Sequence, residues 1–150
     1  RTVKGAVLDV WEREPEIDVD LLRLVDIATP HIAGYSVEGK ANGTAMAVRE
    51  ISKYFGLGID SWYPQRVPKP ANPRVVALGN NFYENLYALV SRAYRIVNDD
   101  LSLRINPSGF EHLRANYAFR NEFSAYTIAK SSLSDAKRVD QFRMLGFQVD

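Results

Sequence analysis

An α/β piece with buried parallel strands, followed by a small α+β domain, is the fold class that this sequence predicts, on three observations. Gly5-Ala6-Val7-Leu8 is a short apolar run closed by Asp9, the pattern of a parallel strand covered on both faces. Four of the seven prolines (Pro64, Pro68, Pro70 and Pro73) fall within 63–73, a stretch with few apolar residues and the composition of a semi-rigid linker. Beyond it, helical spacing at 81–97 and 134–145 alternates with short strand candidates. The predicted division is therefore 1–58, a linker at 59–73, and 74–150.

Taken in order, residues 3–10 make the first strand and set Asp9 at its carboxyl end, the edge at which ligands bind in open α/β sheets. The acidic stretch 11–20 contains Pro15 and reads as a loop, with Asp18 or Asp20 placed to cap a short helix at 21–24. Val25-Asp26-Ile27-Ala28 is a second strand; Thr29-Pro30 ends it and delivers His31 to a loop. A long helix is predicted over 37–55, where Ala41, Ala45, Val48, Ile51, Ser52 and Phe55 recur at helical spacing, and Gly56 stops it. Gly39 and Gly43 inside that helix predict close packing against another backbone. After the linker come a strand at 74–78, an amphipathic helix at 81–97, a helix at 107–120 with Phe110, Leu113 and Tyr117 on one face, a strand at 125–129, a helix at 134–145 and a last strand at 147–149.

Composition excludes several functions. With 46% hydrophobic and 25% charged residues the chain can bury a core, as soluble globular proteins do. Its 19 Lys and Arg against 18 Asp and Glu alternate in sign without a block of five, so nucleic acid is not an expected partner. No apolar run approaches the roughly 20 residues that span a bilayer, so no membrane partner is expected either. The absence of cysteine rules out disulfides and thiolate metal sites and fits a cytoplasmic location. Because Arg1-Thr2-Val3-Lys4 leads almost directly into a buried strand, the sequence is expected to be a fragment.

Chemistry concentrates at His31, which stands in a loop directly after a strand. Its ordinary pKa, about 6.5, suits a general acid or base; a structural histidine is the alternative. Glu14, in Glu12-Arg13-Glu14-Pro15, follows the neighbouring strand, and a carboxylate reaching the imidazole would fix its tautomer and favour the protonated ring. The alternative for Glu14 is a solvated loop acid. Gly56-Leu57-Gly58 follows a helix and lacks a third glycine, so it is rejected as a dinucleotide loop. Phe82, Tyr83, Tyr87 and Tyr94 crowd aromatic residues onto one helix, as either core or partner surface.

The runs Leu8-Asp9-Val10-Trp11-Glu12-Arg13-Glu14-Pro15 and Thr29-Pro30-His31-Ile32-Ala33-Gly34-Tyr35 together resemble the closing signature of the D-2-hydroxyacid dehydrogenases. The continuation Ser36-Val37-Glu38-Gly39-Lys40-Ala41-Asn42-Gly43-Thr44 resembles the erythronate-4-phosphate dehydrogenase branch of that family. So do Asn98-Asp99-Asp100-Leu101-Ser102-Leu103-Arg104, Phe110-Glu111-His112-Leu113-Arg114-Ala115-Asn116-Tyr117 and Met144-Leu145-Gly146-Phe147.

The resemblance implies that 1–58 is the remnant of a Rossmann-type nucleotide-binding domain and 74–150 a dimerisation domain that forms a homodimer. It implies an oxidoreductase with NAD as cofactor and a small phosphorylated 2-hydroxy acid as substrate. In that branch 4-phospho-D-erythronate is oxidised to 2-oxo-3-hydroxy-4-phosphobutanoate in pyridoxal phosphate (vitamin B6) biosynthesis. Carried over by position, His31 is the catalytic acid/base, Glu14 its carboxylate partner, Asp9 a contact to the nicotinamide end of NAD, Gly34 a backbone contact to NAD and Tyr35 a substrate contact. The family's catalytic Arg and Gly-rich phosphate loop are not among these residues, so the fragment alone is expected to be inactive. Arg114 or Arg120 is a candidate for the substrate phosphate of a neighbouring subunit. Two other readings stay open: a dehydrogenase for another 2-hydroxy acid, and a non-catalytic dimerisation or ligand-sensing module.

Overall fold

The apolar run ending at Asp9 forms β1 (Val7–Leu8), which pairs in parallel with β2 (Ile27–Ala28), Val7 opposite Ile27 and Leu8 opposite Ala28. Both strands are shorter than the expected 3–10 and 25–28. Between them lies α1 (Val19–Leu24), capped by the Asp18 carboxylate, which accepts the amides of Asp20 and Leu21. The structure is a computed structural model and describes residues 3–150; Arg1 and Thr2 lie outside the described residues. The chain continues through α2 (Val37–Phe55), β3 (Arg74–Val75), α3 (Phe82–Ala93), α4 (Ile96–Ile105), α5 (Phe110–Ala115), β4 (Thr127–Ile128), α6 (Ala136–Met144) and β5 (Gln148–Val149).

Two compact units share these elements, one taking the residues up to Ala33 with Arg95–Ala118, the other Gly34–Tyr94 with Phe119–Asp150. This differs from the division expected at 59–73. The chain passes between units after Ala33, Tyr94 and Ala118, and the proline-rich stretch belongs wholly to the second unit. Side chains hold it there: Tyr63 donates to Asn42 Oδ1 (3.1 Å), and the Pro68 carbonyl accepts from Asn121 Nδ2 (3.0 Å).

In the first unit, Trp11, Ile17, Leu22, Val25, Ala28, Leu103 and Phe110 form the buried core. Leu103 and Phe110, from α4 and α5, are fully buried in it. Two expected helices therefore end early. The helix predicted at 81–97 breaks at Tyr94, which is extended (φ −154°, ψ 119°), because α3 buries Leu89 and Ala93 in one core while α4 buries Leu103 in another. The helix predicted at 107–120 is a 3-10 turn at Pro107–Gly109 running into α5. It stops at Asn116, whose side chain takes the His112 carbonyl, and Arg120 is extended, pairing with Ser36 in a parallel bridge.

The second unit is built on a parallel sheet in the order β3-β4-β5, with Arg74 opposite Thr127 and Thr127 opposite Gln148. All described strand pairs are parallel, so this unit is α/β in character and not the expected α+β. Its core is Val75, Ala77, Leu89, Ala93, Tyr126, Ile128, Phe142 and Phe147. The bounds of α2 match the expected 37–55: Ser36 Oγ accepts the Gly39 amide at its start and Gly56 takes a left-handed conformation (φ 64°) at its end. Of the two glycines expected to admit a close backbone, Gly39 does so; a Cβ there would stand 2.6 Å from Ser36 Oγ and 3.1 Å from the Gly34 carbonyl, whereas one on Gly43 would meet open space. Among the described residues no helix is long and apolar enough to cross a membrane.

Candidate active site

Because β1 and β2 are parallel, their carboxyl ends share one edge, and the loops that leave them carry Asp9, Glu14 and His31. His31 Nδ1 lies 2.7 Å from Glu14 Oε2, so the pair inferred from spacing is in contact. The second Glu14 oxygen accepts the Trp11 amide at 2.7 Å. Burial pushes the Glu14 carboxyl up, but hydrogen bonds from His31 and the Trp11 amide, with the charges of His31 and Arg114, outweigh it. The carboxyl is held below its ordinary range. An ionised Glu14 accepts Nδ1–H and so leaves Nε2 as the proton-exchanging nitrogen of a side chain that is 40% exposed.

Asp9 organises the loop that presents this imidazole. Its Oδ1 accepts the Thr29 hydroxyl (2.7 Å) and the Ile32 amide (2.8 Å), and its Oδ2 accepts the Ala33 amide (3.0 Å). The buried Trp11 indole donates to the Thr29 carbonyl at 2.9 Å. These bonds hold His31 at φ 55°, a left-handed conformation that costs a non-glycine residue on the order of 1 kcal/mol. Reasoning from sequence missed Trp11 and Thr29, since neither residue type signals a bond to a carbonyl 18 positions away or to a carboxylate 20 positions away.

Gly34 and Tyr35 belong to the second unit. A Cβ on Gly34 would have nothing within 4 Å, so that side of its backbone is open to approach, while its carbonyl faces Gly39. The Tyr35 ring lies under the Lys40 ammonium (3.9 Å to the centroid) and meets the edge of Phe119 (5.9 Å). Of the two arginines considered for a phosphate, Arg114 acts on Glu14 of its own chain, and Arg120 stacks its guanidinium on Tyr94 (4.3 Å).

Residues 67–146 match a family described as "Domain of unknown function (DUF3410)". The chain belongs to that family. Proteins of known name are similar over nearly the whole of the chain. The erythronate-4-phosphate dehydrogenase of Porphyromonas gingivalis is 36% identical over 135 residues, 90% of this chain and 36% of that protein. Those of Photorhabdus laumondii and Escherichia coli O1:K1 are 37% and 41% identical over 147 and 149 residues, 96% and 97% of this chain and 38% of each protein. The DUF3410 chain thus spans less than two fifths of the length of these dehydrogenases.

Proposed function

We propose that this chain supplies the acid/base side of an NAD-dependent dehydrogenase that oxidises 4-phospho-D-erythronate to 2-oxo-3-hydroxy-4-phosphobutanoate, within pyridoxal phosphate synthesis in the cytoplasm. The observation that carries the reading is the 2.7 Å His31–Glu14 pair at the carboxyl edge of two parallel strands. On this reading β1 and β2 belong to a Rossmann-type nucleotide-binding domain.

His31 Nε2 takes the C2 hydroxyl proton of the substrate, and Glu14 stabilises the imidazolium that results. Tyr35 contacts the substrate. When bound, NAD supplies the hydride acceptor. The chemistry of Asp9 fits its nicotinamide end, since Oδ2, which accepts the Ala33 amide, can also accept a carboxamide N–H; Gly34, with open space where a Cβ would stand, is assigned a backbone contact to NAD. The sequence contains no G-x-G-x-x-G turn for the pyrophosphate, so turnover by these 150 residues alone is not expected. A homodimer through 74–150 is supported by Tyr83 and Tyr87, 78% and 71% exposed on α3.

The test is NADH formation from 4-phospho-D-erythronate by the full-length protein and its His31→Asn variant. Asparagine tolerates the left-handed backbone, so kcat is expected to fall about 100- to 10,000-fold with the fold intact. Activity unaltered by the substitution would overturn the reading.

A further inference from the structure

The pair Asp100 and Arg104 stands four residues apart on α4, within the matched family region, and takes no part in the chemistry above. Its contacts are unusual for a helix-surface ion pair. Asp100 Oδ1 accepts the Ala28 amide at 2.8 Å, across 72 residues of sequence. In the β1-β2 sheet the amides of Ile27 and Thr29 turn toward β1, so the Ala28 amide faces the edge that no described strand covers. Asp100 takes the place of a strand there. Arg104 Nε returns to both Asp100 oxygens (2.9 and 3.0 Å), while its two terminal nitrogens donate to the carbonyls of Leu22 (2.7 Å) and Val25 (2.9 Å).

One guanidinium and one carboxylate thus hold the end of α1, the turn after it and the edge of β2. Both side chains are largely buried, 29% and 20% exposed, and Leu103 between them is fully buried. Such a fork is specific to arginine, since an ammonium cannot meet a carboxylate and two carbonyls in fixed directions. Ala28 precedes His31 by three residues and adjoins Thr29, whose hydroxyl and carbonyl anchor the loop in which His31 takes its left-handed backbone.

We propose that Asp100 and Arg104 are positioning residues for His31, through which the DUF3410 region sets the acid/base loop of its own chain. This rests on the dehydrogenase reading for its effect on turnover, but not for its effect on the His31–Glu14 bond. The experiment therefore reads both in the full-length protein: kcat and KM, and the NMR signal of the His31 Nδ1 proton, which the bond to Glu14 protects from solvent exchange.

Arg104→Gln is expected to lower kcat about 10- to 100-fold with KM little changed, and to lose the Nδ1 proton signal, as Glu14→Ala should by removing the acceptor. Leu103→Ala is the control: it removes apolar contact from the core that includes Ala28 but deletes none of the bonds that Asp100 and Arg104 make to the backbone, so it should lower stability yet keep the signal. A folded Arg104→Gln protein that keeps both the signal and kcat overturns the proposal. Should that variant fail to fold, Arg104→Lys decides in its place, a weakened signal supporting the proposal and an unchanged one overturning it. A wild-type protein that oxidises no 2-hydroxy acid would sink the dehydrogenase reading alone, because the proton signal still tests the positioning role.

Discussion

Carboxylates accept backbone amides in both units, but in the first they gather around its two strands, whereas phenylalanine gathers around the strands of the second. Around the two-residue strands β1 and β2, the carboxylates of Asp9, Glu14, Asp18, Asp26 and Asp100 each accept at least one backbone amide. Around β3, β4 and β5, by contrast, Phe82, Phe123, Phe142 and Phe147 pack ring to ring, with Phe123 and Phe147 stacked at 4.7 Å. Directional bonds fix where a group points, and apolar contact fixes how much surface leaves water. Around its strands, the unit that carries His31 relies more on the first means and the other unit more on the second.

The contrast breaks most readily at Phe142, which is 1% exposed. Phe142→Ala should cost about 3–5 kcal/mol in urea unfolding while leaving the His31–Glu14 bond unaltered in whatever protein remains folded. Loss of that bond together with the core would mean that the two means are not separable. Asp9→Ala should cost less, about 2–3 kcal/mol for the three hydrogen bonds it removes, yet should disorder the His31 loop, as amide exchange at Ile32 and Ala33 would report.

Glu14 sharpens the comparison through pH. Its carboxyl is lower in the folded chain than in the unfolded one, so its contribution is fully present above the unfolded carboxyl's pKa and is lost as pH falls through the folded value. Glu14→Gln should therefore flatten the acid limb of the stability profile while changing little in the alkaline range, which thermal melts across the carboxylate range would check. The smallest effect belongs to α2: Gly43→Ala, into open space, should stabilise by about 0.5–1 kcal/mol, and Gly39→Ala should instead destabilise, both measured by thermal melting.

Much of this fold was legible wherever a local signal and a tertiary demand agree. The bounds of α2 could be read because Ser36 and Gly56 are start and stop signals that the structure also uses. The break at Tyr94 was not legible, because the helical pattern of apolar residues runs through it and only two competing cores divide it. The same distinction holds at the site. His31, Glu14 and Asp9 stand out by residue type at strand ends, but spacing does not reveal that Asp9 binds three loop donors, nor that Asp100 reaches an amide 72 positions away. Long-range side-chain-to-backbone bonds carry no periodicity.

The left-handed backbone at His31 governs how the acid/base role proposed for it can be tested. Glycine and asparagine fit that conformation, whereas valine or phenylalanine there would distort the loop as well as delete the imidazole. Restoration of turnover by free imidazole added to the buffer is therefore a fair assay of the missing ring only in a His31→Gly protein, where the vacated space keeps its shape. With a β-branched replacement, failure of such rescue would report the bent chain and say nothing about proton transfer.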